Sequence, residues 1–399
     1  MKRSKTQKGI TLIALILTIV VLLILASAAI NEMQNKGILS YAENTANKFN
    51  QAQSDEKDVL GGYLNYLKEN IEGSGGGTLD VTDGTTMFAR TTNTKIKDIY
   101  GNKITIPAGF KISVENTGYT KDTIDVTKGI VIEDESENQF VWVPVGKIYT
   151  DIDKTELLAK TITLGRYKIF TATNGIYTPV QTAENYATAT EVGSYTEDTS
   201  SNHYSGYKNA IARNIGEFVT SATTNGGYYL GRYEAGKSND TLVCKYGQNV
   251  YNNITQPDAS SLCKSMYSDG YSTGTFSSDL INSYAWDTAI IFIQTFGTRS
   301  NSSTYESTGG RSATSTDAPQ TTGTNILEAI SSVDEQLNIY DMAGNCFEWS
   351  TETFRYSSSA VYRGSYFSHS YYSTSGRVWS SAVDSIDHIS FRPLIYVGL

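Results

Sequence analysis

Three cysteines and three histidines are the side chains of this 399-residue chain best suited to nucleophilic or metal chemistry, and their spacing favours neither. His203, His369 and His388 form no H-x-x-x-H or comparable ligand pattern and have no supporting carboxylate pattern, whereas metal-bound histidines are normally oriented by such partners. Surface positions are the expectation for them. Cys244, Cys263 and Cys346 make no disulfide framework. A Cys244–Cys263 bridge stays open, and Cys346 reads as a small buried hydrophobe. The other concentration of chemistry is Ser365 to Asp387, which is mostly Ser, Tyr, His and Asp with few core formers. Such residues suit recognition: Tyr buries a large area at small entropic cost, and Ser adapts its hydrogen bonds. Tyr366, Ser368, His369, Ser370, Tyr371, Tyr372, Ser373, Asp384, Asp387 and His388 are therefore the expected ligand contacts on a variable-looking region, 365–388, and no residue is expected to be catalytic.

Three motifs must position that stretch. YDMAGNCFEWS (Tyr340 to Ser350) holds a turn at Gly344 and Asn345 and a half-buried strand carrying Phe347 and Trp349. VYRGSYF (Val361 to Phe367) and SFRPLIYV (Ser390 to Val397) read as strand ends that each carry a buried arginine. Gly344, Asn345, Trp349, Arg363, Gly364, Phe391 and Arg392 are the expected framework.

The order DMAGN-x-x-EW, RG-S-[YF], FRP resembles the formylglycine-generating-enzyme (sulfatase-modifying) branch of the C-type lectin-like fold. Upstream, FVWVPVGK, YYLGRYEAG, YNNIT and SYAWDTAIIFI extend the resemblance. It implies an α+β, C-type lectin-like head over residues 138–399. The enzymes of that branch use a cysteine pair after the RG-S-[YF] motif, where this chain has Ser368, Ser370, Tyr371, Tyr372 and Ser373. A hydroxyl or phenol cannot replace a thiolate there, so a non-enzyme is expected. The resemblance also implies a structural calcium held by Asn345 and Glu348. The alternative is that Asn345 caps the turn while Glu348 pairs with Arg363 or Arg392. From Ser365 to Ser390, every residue except Trp379 is reachable by randomising the adenines of AAC or AAT codons. That pattern, at this place in this fold, resembles the variable proteins of diversity-generating retroelements.

At the N-terminus, Lys2, Arg3, Lys5 and Lys8 precede an uncharged run from Ile10 to Ile30. At 1.5 Å per residue the run could cross roughly 30 Å of hydrocarbon, its positive end cytoplasmic. QKG-ITLIALILTIVVLLILA resembles a type IV prepilin leader, implying cleavage by prepilin peptidase between Gly9 and Ile10. Ala14 stands where that family carries Glu, which points to a minor pilin or pseudopilin. Leu60, Leu64, Leu67 and Ile71 make an amphipathic continuation. The expected organisation is thus a leader (1–9), a long pilin-like transmembrane helix (10–72), a Gly/Ser linker (73–77), a small β section (78–137) and the head (138–399). In the head, Thr150 to His203 reads as polar loops, Lys208 to Thr220 as a core-facing helix, and Asp258 to Met266 and Leu280 to Phe296 as two more.

A net charge of −9 without a basic stripe argues against a phosphate-binding surface, and no nucleic-acid partner is expected. With 28 tyrosines and only 18% charged residues, the composition suits a cell-envelope or pilus protein. The expected partners are a protein or glycan ligand on a cell, phage or host surface, the membrane through Ile10 to Ile30, and other pilins. No cofactor is expected beyond the calcium.

Overall fold

The computed structural model describes residues 19–27, 79–167, 170–171, 177–178, 186–187, 191–192, 195–197, 203–204, 207–298, 335–342, 344–354, 359–366 and 374–398. The chain divides into two compact units, Met1–Leu79 and Asp80–Leu399. In the first, residues 19–27 are helical with exposed apolar side chains, and the Ser27 hydroxyl donates to Leu23 O at 2.5 Å.

Among the described residues no helix is long and apolar enough to cross a membrane. This corrects the expected long N-terminal transmembrane helix. The described helical residues there are 19–27, whereas a span takes roughly 20 consecutive residues. Gly9, Ile10, the stripe from Leu60 to Ile71 and the 73–77 linker lie outside the described residues.

Asp80–Leu399 is built on two sheets. In chain order its main strands are β1 (Phe110–Ser113), β2 (Val131–Asp134), β3 (Gln139–Pro144), β4 (Tyr195–Glu197), β5 (Gly227–Gly231), β6 (Phe276–Leu280), β7 (Phe347–Phe354), β8 (Ser359–Arg363), β9 (Arg377–Ser381), β10 (Ile389–Phe391) and β11 (Pro393–Val397). The first sheet is antiparallel in the order β6-β11-β5-β3-β2-β1. Its inner strands β3, β5 and β11 are nearly continuous in apolar residues and buried on both faces. The second runs β4-β7-β8-β9, with β10 parallel to β7. Strands β1 and β2, which fall within residues 78–137, pair into the first sheet beside β3.

The main helices are α1 (Ile215–Asn225), α2 (Gln256–Met266), α3 (Ser268–Thr273) and α4 (Ser283–Phe296). Helix α1 packs on β5 and β11, α2 on β6, and α4 on β3. Helix α1 starts later than its apolar stripe suggests, because Asn214 caps it by accepting from Glu217 N at 3.0 Å. The preceding residues are held extended by Gln256, which bonds both backbone groups of Ala210. Asn282 caps α4 in the same way through Ala285 N, so Leu280 is the end of a strand and not the start of a helix. The polar stretch after Thr150 is more than surface loops: Lys160–Ile162, Arg166–Tyr167 and β4 are strands within it, and Arg166 and Glu197 are fully buried.

Candidate ligand-binding surface

The framework residues converge where β7 meets the last two strands. Glu348 on β7 receives Arg392 in a fork, at 3.2 and 3.0 Å from Nε and 2.6 Å from Nη2, with both side chains buried. Arg392 also donates to Gly231 O and Tyr340 O, joining the two sheets. A paired, fully bonded ion pair of this kind is tolerated in a core where an unpaired one is not. Asn345 takes the left-handed conformation (φ 58°) and donates to Glu234 at 2.5 Å, while Cys346 N donates to the other Glu234 oxygen at 3.0 Å. Burial, together with Asp341 and Glu348, pushes the Glu234 carboxyl well above the carboxylate range.

This arrangement does not fit the expected calcium. Both Glu348 oxygens are committed to Arg392, and the amide nitrogen of Asn345 to Glu234. Asn345 Oδ1 is a buried atom with no partner among the described residues, but calcium takes about six to eight oxygens. Among the described residues no group of three or more His, Cys, Asp or Glu could hold a metal ion.

A second buried cluster clamps the variable-looking region. Arg363, at the end of β8, reaches Asp287 of α4 at 2.6 Å and Glu352 of β7 at 3.3 Å. Arg377, opposite it on β9, reaches Asp287 at 2.6 Å and Glu352 at 2.9 Å. Arg166 meets Glu352 at 2.5 Å. Burial pushes Asp287 and Glu352 up, but the surrounding guanidinium groups outweigh it and hold both below the usual carboxylate range. Glu197, which accepts from Ser283 N at 2.6 Å and the Thr351 hydroxyl at 2.8 Å, goes the other way. Burial pushes it up to about 7 against the pull of Arg166.

From this base both roots of the stretch are fixed. Arg363 donates to Gly376 O at 2.9 Å and Ser375 O at 3.3 Å, and the Trp286 indole donates to Thr374 O at 2.8 Å. On the other side Gly364 sits at φ 83°, where a Cβ would lie 3.0 Å from Met342 O and 3.4 Å from the same Trp286 ring. One indole thus touches both ends of the span that carries residues 367–373. Ser368, His369, Ser370, Tyr371, Tyr372 and Ser373 themselves lie outside the described residues.

Beside those roots the structure brings three of the expected contacts together. The half-buried rings of Tyr366 and His388 stack with centroids 4.6 Å apart, Phe347 lies 4.8 Å from Tyr366, and Asp387 meets His388 Nδ1 at 2.9 Å. Asp384 does something else: its carboxylate takes the Ser380 hydroxyl and Ser381 N, closing the turn after β9. Sequence reasoning missed Asn252, whose amide donates to Asp387 O. It also missed the Lys237 ammonium 5.0 Å over Tyr251, and it read Trp286 only as core. The YNN run gave the one available signal, since paired Asn beside Tyr in a turn is unusual for a core segment.

The thiols are not poised for chemistry. Burial pushes Cys244 up to about 11, and it pushes Cys263 and Cys346 well above the ordinary thiol range, with Glu234 adding to the effect at Cys346. All three are free and buried, so the Cys244–Cys263 bridge is not formed. No protein-family profile matches the chain, and no curated protein matches it.

Proposed function

We propose that Asp80–Leu399 is a non-catalytic ligand-binding head of the C-type lectin-like kind, in which region 365–388 meets the ligand. The observation that carries this reading is the double clamp by Trp286 and Arg363 on the roots of the stretch. A fixed base lowers the ordering cost of a recognition segment, which is how preorganisation raises affinity. The exposed side of Tyr366, His388 and Asp387 supplies a flat aromatic wall with hydrogen-bonding groups beside it. Raised, buried thiols support a binding role over thiol oxidation. The adenine-compatible composition of the stretch supports its being the variable region of a diversity-generating retroelement.

Sequencing the gene across a cell population tests the last point together with the site. Substitutions confined to adenine-derived positions such as Tyr371 and His388, and sparing Arg363, Gly364 and Arg392, are the expected result. In parallel, the Tyr371→Ala, Tyr372→Ala double variant should lose capture of cells or phage that the unaltered protein binds, with its melting curve kept. An invariant gene removes the retroelement, and unchanged capture by the double variant removes the site.

A further inference from the structure

We propose that a cavity bordered by Arg90 binds a small organic carboxylate with an apolar body. The cavity, of about 310 Å³, lies between residues 90–91, the turn 108–109 ahead of β1, the end of α2, helix α3 and the start of β6. None of its described lining residues belongs to region 365–388, so binding here is independent of that surface. A volume at the small end of ligand pockets favours one small molecule over a chain segment.

Arg90 is half-buried, and its Nε is covered yet has no acceptor among the described residues. Its other guanidinium nitrogens have no hydrogen bond or ion pair among those residues either, and Asp269, on the same cavity, makes none with it. This sets Arg90 apart from Arg166, Arg363, Arg377 and Arg392, each of which is spent on a buried acid. A guanidinium offers five donors in a rigid fork. Leaving a covered donor unmet costs free energy that an incoming acceptor recovers.

The surface around that fork is mostly apolar, with Met266, Tyr267 and Phe276 on it. The Tyr267 and Phe276 rings stand 5.7 Å apart, and both pack on Phe110, at 5.3 and 5.6 Å. The Tyr267 hydroxyl is tied to Asp134 at 2.7 Å, so the rings are fixed. Three residues after Arg90, Asn93 donates to Thr275 O at 2.7 Å and accepts from Ala108 N at 3.0 Å. The segment that carries the arginine is thereby held to two other walls. Fork and rings together select the occupant: a carboxylate meets a guanidinium with two parallel N–H···O bonds, and an aliphatic or aromatic body covers the rings. A cation is repelled by Arg90, a neutral apolar molecule leaves the donors unmet, and Asp269 disfavours a second negative charge, as on a phosphate or a dicarboxylate.

The test is a saturation-transfer NMR titration of the full chain with phenylacetate, and with phenylacetamide as its uncharged counterpart. Phenylacetate should bind at least ~10-fold more tightly than the amide. Arg90→Met keeps the apolar stem and removes the fork, so it should abolish that preference. Without ligand the same variant should melt no lower than the unaltered protein, because no internal partner is lost. Ala108→Leu leaves the arginine but narrows the cavity, and should weaken phenylacetate binding. Near-ultraviolet circular dichroism confirms that each variant is folded. No binding of phenylacetate, equal binding of acid and amide, or a preference that survives in folded Arg90→Met overturns the proposal. So does a ligand-free Arg90→Met that melts lower, since the guanidinium would then already have a partner.

Discussion

Arg166, Arg363 and Arg377 bring three positive charges into a space where Asp287 and Glu352 supply two negative ones, so the ionisation of Glu197 sets the net charge beneath the variable-looking stretch. The Glu197 carboxyl is raised from 4.5 to about 7, so it favours the folded state most fully below its unfolded pKa. That contribution is lost as pH rises through about 7. Asp279, pushed by burial up to about 6, follows the same sign. Asp287 and Glu352 have the opposite sign: their depressed pKa values favour folding above the ordinary carboxylate range, and this is lost in acid. Glu197→Gln keeps the acceptor for Ser283 N and removes one titration. It should flatten the fall in stability between about pH 5 and about pH 7.5 and raise unfolding free energy at the upper end by ~1–3 kcal/mol. Urea titrations at several pH values check this, and an unchanged slope would assign the effect elsewhere.

Helix α4 joins the cluster to the surface, for it carries Trp286 and Asp287 in succession, one touching both roots of the stretch and the other bonding both arginines. Gly364→Ala forces a Cβ into a left-handed backbone against Met342 O and should cost about 1–3 kcal/mol. Trp286→Phe keeps the ring but drops the bond to Thr374 O; faster amide exchange across 374–377 is the expected signature, and unaltered protection there would refute the clamp. Strands were the most legible elements, because Phe140 to Val145 is an apolar run that stops at Gly146 and Tyr228 to Leu230 is one set between Gly227 and Gly231. The paired carboxylates were not. Arg166 and Glu197 lie in a stretch with no periodicity, and only their pairing with Glu352 and Ser283, which are distant in sequence, makes them core residues. The Arg363 and Arg392 motifs were visible as buried arginines, but which acid each would meet depends on register. Glu348 stands opposite Arg363 across β7 and β8, yet its carboxylate is taken by Arg392.

At the scale of the molecule, Asp80–Leu399 has both sheets cross-linked by Arg392, which bonds Glu348 on one and Gly231 on the other. Produced without residues 1–79 it should therefore melt in one cooperative transition; two separated transitions by calorimetry would show that the sheets fold independently. The position of β11 adds a demand of its own. This strand lies between β5 and β6, both of which leave the ribosome more than a hundred residues earlier. Until it arrives, the first sheet exists as halves with bare facing edges, the condition in which nascent chains aggregate. A stop codon or frame slip anywhere in 365–388 leaves that gap unfilled. Closure of the first sheet thus waits on translation that stays in frame through residues 365–388, because the strand that fills the gap is the last one made.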